Sequence, residues 1–188
     1  MNTATQLLAP NLWVKNYSDY LYGFALSRIN DHQQAMDLVQ DTFLAALQKV
    51  DGFEGKSTEK TWLTAILKYK IIDVYRKKSA GLRKVEQINE IEQLNFFDSN
   101  DGHWNNAHRP ADFINSTDPL AEKEFEKIMG QCLKKLPTLW FAVFTLKHVE
   151  DELTEKICSG LDITPANFWV VMHRAKLNLR SCLQKNWL

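Results

Sequence analysis

Residues 51–63, DGFEGKSTEKTWL, set two aromatic side chains, Phe53 and Trp62, at the head of a dense run of cations. Flat aromatic faces beside ammonium and guanidinium groups suit unpaired nucleic acid, because every base offers a face to stack and every link a phosphate to neutralise. Residues 58–84 carry Lys60, Lys68, Lys70, Arg76, Lys77, Lys78, Arg83 and Lys84 against Glu59 and Asp73, a surplus of six positive charges in a chain of zero formal net charge. A second basic stretch, residues 165–188, holds Arg174, Lys176, Arg180 and Lys185 with no acid, and His173 lies beside them. No serine, cysteine or histidine stands in a nucleophile arrangement and no glycine-rich loop is built to cradle phosphate, so catalysis is not expected. His103 and His108 lack the cysteine or carboxylate pattern of a metal site, and no metal or cofactor is implied.

These side chains need scaffolding, and the scaffolding reads as helical. Apolar residues recur at three- and four-residue steps over 17–84 and again from Leu120 onward, with almost no strand-like alternation. The expected fold is all-α, two small helical domains joined by an acidic linker. Its parts are a tail at 1–14, a first domain at 15–84, the linker at 85–118 and a second domain at 119–188. Asp31 with Gln34 three residues on resembles a capping box, opening a helix whose stripe Ala35, Leu38, Val39, Phe43, Ala46, Leu47 and Val50 is expected in the core. The outward side of that helix carries Asp37, Gln40, Asp41 and Leu44, either a solvated face or a docking face.

The next helix is expected to start at Ser57 or Thr58, to bury Leu63, Ile66, Leu67 and Val74, and to turn Lys68, Asp73, Arg76 and Lys77 to solvent. Trp62 is read as a core anchor ahead of a stacking platform. Phe53, a loop aromatic between two glycines, is poorly placed to join a helical core. In the second domain Phe125, Ile128, Met129, Cys132, Leu133 and Leu136 make an amphipathic helix closed by Pro137, and Leu139, Trp140, Val143, Phe144 and Leu146 begin another. A short helix, LTEKICSG, a turn around residues 159–162, then Thr164 as N-cap and Pro165 as first residue of a last helix make a helix-turn-helix candidate.

The linker counts Glu86, Glu90, Glu92, Asp98, Asp101, Asp112 and Asp118 against Arg109 alone, so it is acidic where its neighbours are basic. It reads as a solvated tether, except that Phe96, Phe97, Trp104 and Phe113 point to docking on something. Cys132, Cys158 and Cys182 are odd in number, far apart and without CxxC spacing, and are expected as reduced packing residues. No stretch is long and apolar enough for a membrane span, and the first residues lack the pattern of a signal peptide, so no membrane insertion and a cytoplasmic location are expected.

Four segments taken in order, AMDLVQDTF, DGFEGKSTEKTWL, IIDVYRKK and LTEKICSGLDITPANFWVVMHRAKLNLRSCL, resemble the successive signatures of a bacterial RNA polymerase sigma factor of the extracytoplasmic-function group. The resemblance implies a transcription initiation factor that binds core RNA polymerase, directs it to promoters, melts the minus-10 element and binds the minus-35 element. It assigns Asp37, Gln40, Asp41 and Leu44 to the face that docks on the clamp helices of the beta-prime subunit. It places Phe53, Ile66 and Tyr69 at the pocket for a base flipped out of the minus-10 element, with Lys60, Lys68, Lys70, Arg76 and Lys77 along the displaced backbone. The last helix is expected to reach minus-35 DNA through Thr164, Asn167, Phe168, His173, Arg174 and Lys176.

Two departures from the family pattern matter. Tyr69 stands where the family often has asparagine, which alters the pocket's shape and hydrogen bonding. Phe168, Trp169, Val170 and Val171 make the recognition helix unusually apolar, which fits burial against an anti-sigma factor, a partner the resemblance implies. The linker would thread the basic channel later occupied by RNA. Two other classes compete: a helix-turn-helix regulator that binds duplex DNA without polymerase, and a helical interaction protein that binds no DNA.

Overall fold

The computed structural model describes residues 8–29, 31–82, 96–97, 103–106, 109 and 119–187. Its helices fall into two clusters, α1 (Pro10–Ile29), α2 (His32–Leu47) and α3 (Glu59–Leu82), then α4 (Pro119–Lys134), α5 (Thr138–His148), α6 (Thr154–Leu161) and α7 (Pro165–Asn186). The all-α expectation holds. By internal packing the chain divides into units 1–74 and 75–188.

In the first unit α1 begins at Pro10, where a proline costs no helical hydrogen bond, and buries Trp13, Leu21, Ala25 and Ile29. Asp31 caps α2 as its spacing predicts, its carboxylate accepting from the Gln34 N–H at 3.0 Å. Ala35, Leu38, Val39 and Ala46 are buried, while Phe43 and Val50 are only half-buried and Leu47 is 50% exposed; the core stripe ends at Ala46, short of the expected Val50, because the helix ends at Leu47 and a 3₁₀ turn, Val50–Gly52, redirects the chain. Thr42, fully buried, satisfies its hydroxyl on the Leu38 carbonyl at 2.7 Å. Of the two N-caps proposed for α3, Thr58 serves, accepting from the Thr61 N–H at 3.2 Å. Leu63, Leu67 and Ile71 form its buried row in this unit, and Tyr75, the first residue of the second unit, meets Phe141 edge-on at 6.2 Å.

In the second unit α5 and α6 supply Trp140, Val143, Ile157 and Leu161 to the core, and α7 runs its buried side through Phe168, Val171, Met172, Ala175, Leu179 and Leu183. The α4 residues Phe125, Ile128, Met129 and Leu133 pack on Cys132, Leu179 and Leu183. Here the cysteine expectation is corrected. Cys132 and Cys182 form a disulfide across 50 residues of sequence, since α4 and α7 bring their Cα atoms to 5.8 Å; only Cys158 is free. Local spacing such as CxxC says nothing about pairs that tertiary packing brings together.

All seven acidic linker residues lie outside the described positions, as do Phe113 and His108. Of the linker aromatics that are described, Phe96 is 8% exposed and pairs through its carbonyl with the Asn105 N–H at 2.9 Å, while Phe97 and Trp104 bridge and touch at 4.7 Å between ring centres. The Arg180 guanidinium of α7 lies 5.5 Å from the Trp104 ring, and Gln184 donates to the Arg109 carbonyl. This part of the linker docks on the last helix.

Candidate nucleic-acid and polymerase interfaces

Glu59, the first residue of α3, organises the first unit. One carboxylate oxygen accepts from the Ala9 N–H at 2.6 Å and from Trp13 Nε1 at 2.9 Å, and the other accepts from the Tyr17 hydroxyl at 2.9 Å. Burial alone would raise the carboxyl's pKa, but these three donors together with their partners hold it below its ordinary value. Burial and the bond to Glu59 push the Tyr17 hydroxyl up in turn. A buried anion at a helix start also meets the positive end of the backbone dipole. Sequence reading missed Glu59; the signal was an acid directly after an N-cap threonine, with indole and phenol donors available on the preceding helix.

The indole fixed by Glu59 continues an aromatic chain. Trp13 meets Trp62 edge-on at 5.9 Å, and Trp62 meets Phe53 at 5.1 Å. Phe53 is therefore half-buried against α3, a correction to its reading as a residue apart from the core: an aromatic loop side chain finds partners when a helix presents an indole one step away. Trp62, Ile66 and Tyr69 follow at helical spacings of four and three, so they share one side of α3 with Phe53 at its head. Ile66 is half-buried and Tyr69 is 75% exposed. The loop leading to this row turns at Gly55, whose φ of +68° is a conformation that L side chains rarely adopt.

The cations of α3 are spread around the helix rather than gathered at that row. Lys60 Nζ sits 3.7 Å over the Tyr20 ring and Lys68 Nζ 6.0 Å from Phe24, so α1 contributes two aromatic partners that the sequence did not flag. Arg76 and Lys77 are exposed on the last turns of α3. Lys70 reaches Asp41 of α2 at 3.9 Å. Asp37, Gln40 and Asp41 are exposed with Leu44 at 59%, and Met36, 45% exposed, extends this mixed acidic and apolar surface.

On the last helices, Thr164 caps α7 through the Asn167 N–H at 3.2 Å and Pro165 starts the helix, as expected. The reversal falls at Asp162 rather than at the glycine. Asp162 takes φ 54°, ψ 50°, left-handed values that a short polar side chain tolerates, while Gly160 stays within α6. Phe168 is fully buried, which removes it from the residues available to DNA and makes it a core anchor. Asn167, His173 and Lys176 are exposed, Arg174 is half-buried, and Trp169 and Val170 are 60% and 46% exposed. Phe97 lies parallel to the His173 ring at 6.5 Å. Burial, then the charges of Lys176 and Lys147, hold His148 below the usual histidine range, which leaves Lys176 without an added cation beside it near neutral pH.

Two helical clusters, one with an aromatic row on a lysine-rich helix and one with a capped last helix behind a tight turn, define a helical protein with two candidate nucleic-acid surfaces. The description Sigma-70 region 2 fits residues 13–81. Over 162 residues, 86% of this chain and 83% of the relative, the sequence is 34% identical to a probable RNA polymerase sigma factor of Haemophilus influenzae. It is 39% identical over 69 residues to the ECF RNA polymerase sigma factor SigX of Bacillus subtilis, 37% of this chain and 36% of that one. A sigma factor RpoE from Bartonella quintana, solved with the anti-sigma factor NepR, aligns over 93% of this chain and 96% of its own at 22% identity and a TM-score of 0.46. The chain belongs to the ECF-type bacterial RNA polymerase sigma factors of the sigma-70 family. Its role is accordingly in transcription initiation through RNA polymerase, and it is not an enzyme.

Proposed function

We propose that this chain directs core RNA polymerase to specific promoters, melting the minus-10 element with residues 15–84 and binding the minus-35 element with residues 119–188. The observation that carries the reading is the row Phe53, Trp62, Ile66 and Tyr69 on one side of α3, a helix that also carries Lys60, Lys68, Lys70, Arg76 and Lys77. Opening a base step costs a few kcal/mol, and an aromatic face recovers roughly 1 to 3 kcal/mol per captured base, so such a row selects sequence by stabilising a base already unstacked. Lys70, Arg76 and Lys77 would hold the separated backbone. Asn167 and His173 would read base edges, with Arg174 and Lys176 on phosphates; the exposed Trp169 and Val170 suit the methyl groups of thymines.

The surface of Asp37, Gln40, Asp41 and Leu44 is assigned to the clamp helices of the beta-prime subunit. Its apolar centre and acidic rim are the composition of a protein interface rather than of a DNA surface. An anti-sigma factor is the partner proposed to cover the open side of α7 when the factor is held inactive, and the cytoplasm, where the chromosome is transcribed, is its proposed location. Family membership ranks the polymerase-free regulator lower. The deciding experiment is transcription on genomic DNA by core polymerase with and without the purified chain. Start sites that appear only with the chain, sharing sequences ten and thirty-five bases upstream, are expected; their absence overturns the reading.

A further inference from the structure

We infer that Cys182 is a thiol-exchange site, at which a small anionic thiol of the glutathione class opens and re-forms the Cys132–Cys182 disulfide. Both cysteines line one recess, but they are not equally exposed. Cys132 is 1% exposed within the α4–α7 core, whereas Cys182 is half-buried at its edge. A recess of about 250 Å³ opens over the bond, bordered by Lys135, Asn178, Ser181, Lys185 and Asn186, with no acid among its lining residues. Asn186 donates to the Cys182 carbonyl at 2.6 Å and stands 3.6 Å from its sulfur, which fixes that sulfur toward the recess. Two lysines at the mouth favour a thiol that carries carboxylates.

The chemistry closes without further partners. A thiolate attacks Cys182 Sγ, the bond to Cys132 breaks, and Cys132 leaves as a thiolate that takes up a proton. A second thiolate then attacks the sulfur of the first on the mixed disulfide, releasing Cys182 and the oxidised small disulfide; two electrons have passed to the protein. The reverse sequence forms the bond, with the small disulfide as oxidant. Cys158 does not interfere, being buried on α6 with its thiol pushed up by burial and by Glu155, so it stays protonated and unreactive.

The inference rests on the proposed function only for compartment. Where bacterial transcription occurs, thiols are kept reduced, so a disulfide there is characteristically transient or sensing rather than a static staple. The pair joins α4 to the C-terminal half of α7, whose N-terminal half carries Asn167, Trp169 and His173, so its redox state governs how firmly the proposed recognition helix is seated.

The test uses the full chain equilibrated with mixtures of glutathione and its disulfide, quenched by alkylation and mapped by mass spectrometry. The mixed disulfide is expected on Cys182, with Cys132 found only as thiol or in the intramolecular bond. Lys135→Glu with Lys185→Glu, both exposed positions, should slow exchange with glutathione by about tenfold while changing exchange with neutral 2-mercaptoethanol by less than about twofold. Adduct on Cys132 or on both sulfurs equally, equal slowing with both thiols, or reduction by a protein dithiol alone each overturns the inference. None of these readouts depends on transcription, so failure of the promoter reading would show separately, as absence of factor-dependent start sites in either redox state.

Discussion

Glu59 links the start of α3 to the proposed DNA surface through hydrogen bonds to both of its carboxylate oxygens. Replacing it with alanine strands the buried Trp13 indole N–H and the Ala9 amide, at about 1–3 kcal/mol for a stranded donor, and frees the tryptophan that backs Trp62. Chemical denaturation of Glu59→Ala should show a loss of that order, and Glu59→Gln should recover part of it. Because the folded carboxyl titrates below its ordinary value, its contribution is present in full above the unfolded pKa and is lost as pH falls through the lower folded one. Wild type should therefore lose stability on the acid side of the usual glutamate range more steeply than Glu59→Gln does. Equal acid slopes for the two would show that the charge contributes nothing. At Phe53 the ring has two roles, anchoring the loop on Trp62 and offering a face to a base. Phe53→Ala should cut open-complex formation by about five- to 150-fold, matching roughly 1–3 kcal/mol of stacking, while core-polymerase affinity is unchanged. Phe53→Leu keeps the apolar anchor without the ring; recovery of opening by leucine would mean that the loop's seating, not stacking, is what matters.

At the scale of single helices, α2 divides cleanly into a buried row and a surface where Asp41 stands beside the Lys70 ammonium. The pair is solvent-exposed on the acid side and contributes little to folding. Asp41→Lys should thus leave the melting temperature nearly unchanged and weaken core-polymerase binding measured by fluorescence anisotropy; weakened promoter contact with intact core affinity would reassign the surface. On α7, Arg174→Ala should lower affinity for all minus-35 sequences alike and reduce the salt slope by about 1, as loss of one phosphate contact does. The caps at Asp31, Thr58 and Thr164 were legible in the sequence because a cap is a local event, an oxygen three residues before the N–H it accepts. The helix order was legible for the same reason and the buried stripes in part: on α3 Leu63 and Leu67 are buried as expected, but Ile66 and Val74 are half-buried and the row runs on through Ile71 and Tyr75. What local patterns hid was tertiary: Glu59 gathering donors some fifty positions back, Phe53 finding Trp62, Phe168 turning inward, and two cysteines meeting across α4 and α7. In a chain-entropy account the closed loop of 50 residues constrains the unfolded second unit by about 4 kcal/mol, so reduction should lower that unit's melting temperature while the first unit's stays put.

Across the whole molecule, zero net charge conceals a sequence of blocks, basic at 58–84, acidic at 85–118 and basic again at 165–188. Blocks of opposite sign this close would neutralise one another if all three faced a single polyanion, so the acidic block is expected to face something else. A cationic channel in the polymerase, through which RNA must leave, is the partner whose charge fits. Two aromatic residues of the same linker, Phe96 and Trp104, seat at α7. Changing Glu86, Glu90, Glu92, Asp98, Asp101, Asp112 and Asp118 to their amides keeps length and shape while removing the charge. The altered factor should bind promoters with unchanged affinity, since the proposed DNA contacts lie elsewhere, but the ratio of short abortive RNA to full-length transcript should shift. An unchanged ratio together with lost promoter affinity would place the acidic block at the DNA instead, with its negative charge acting to orient the two basic domains.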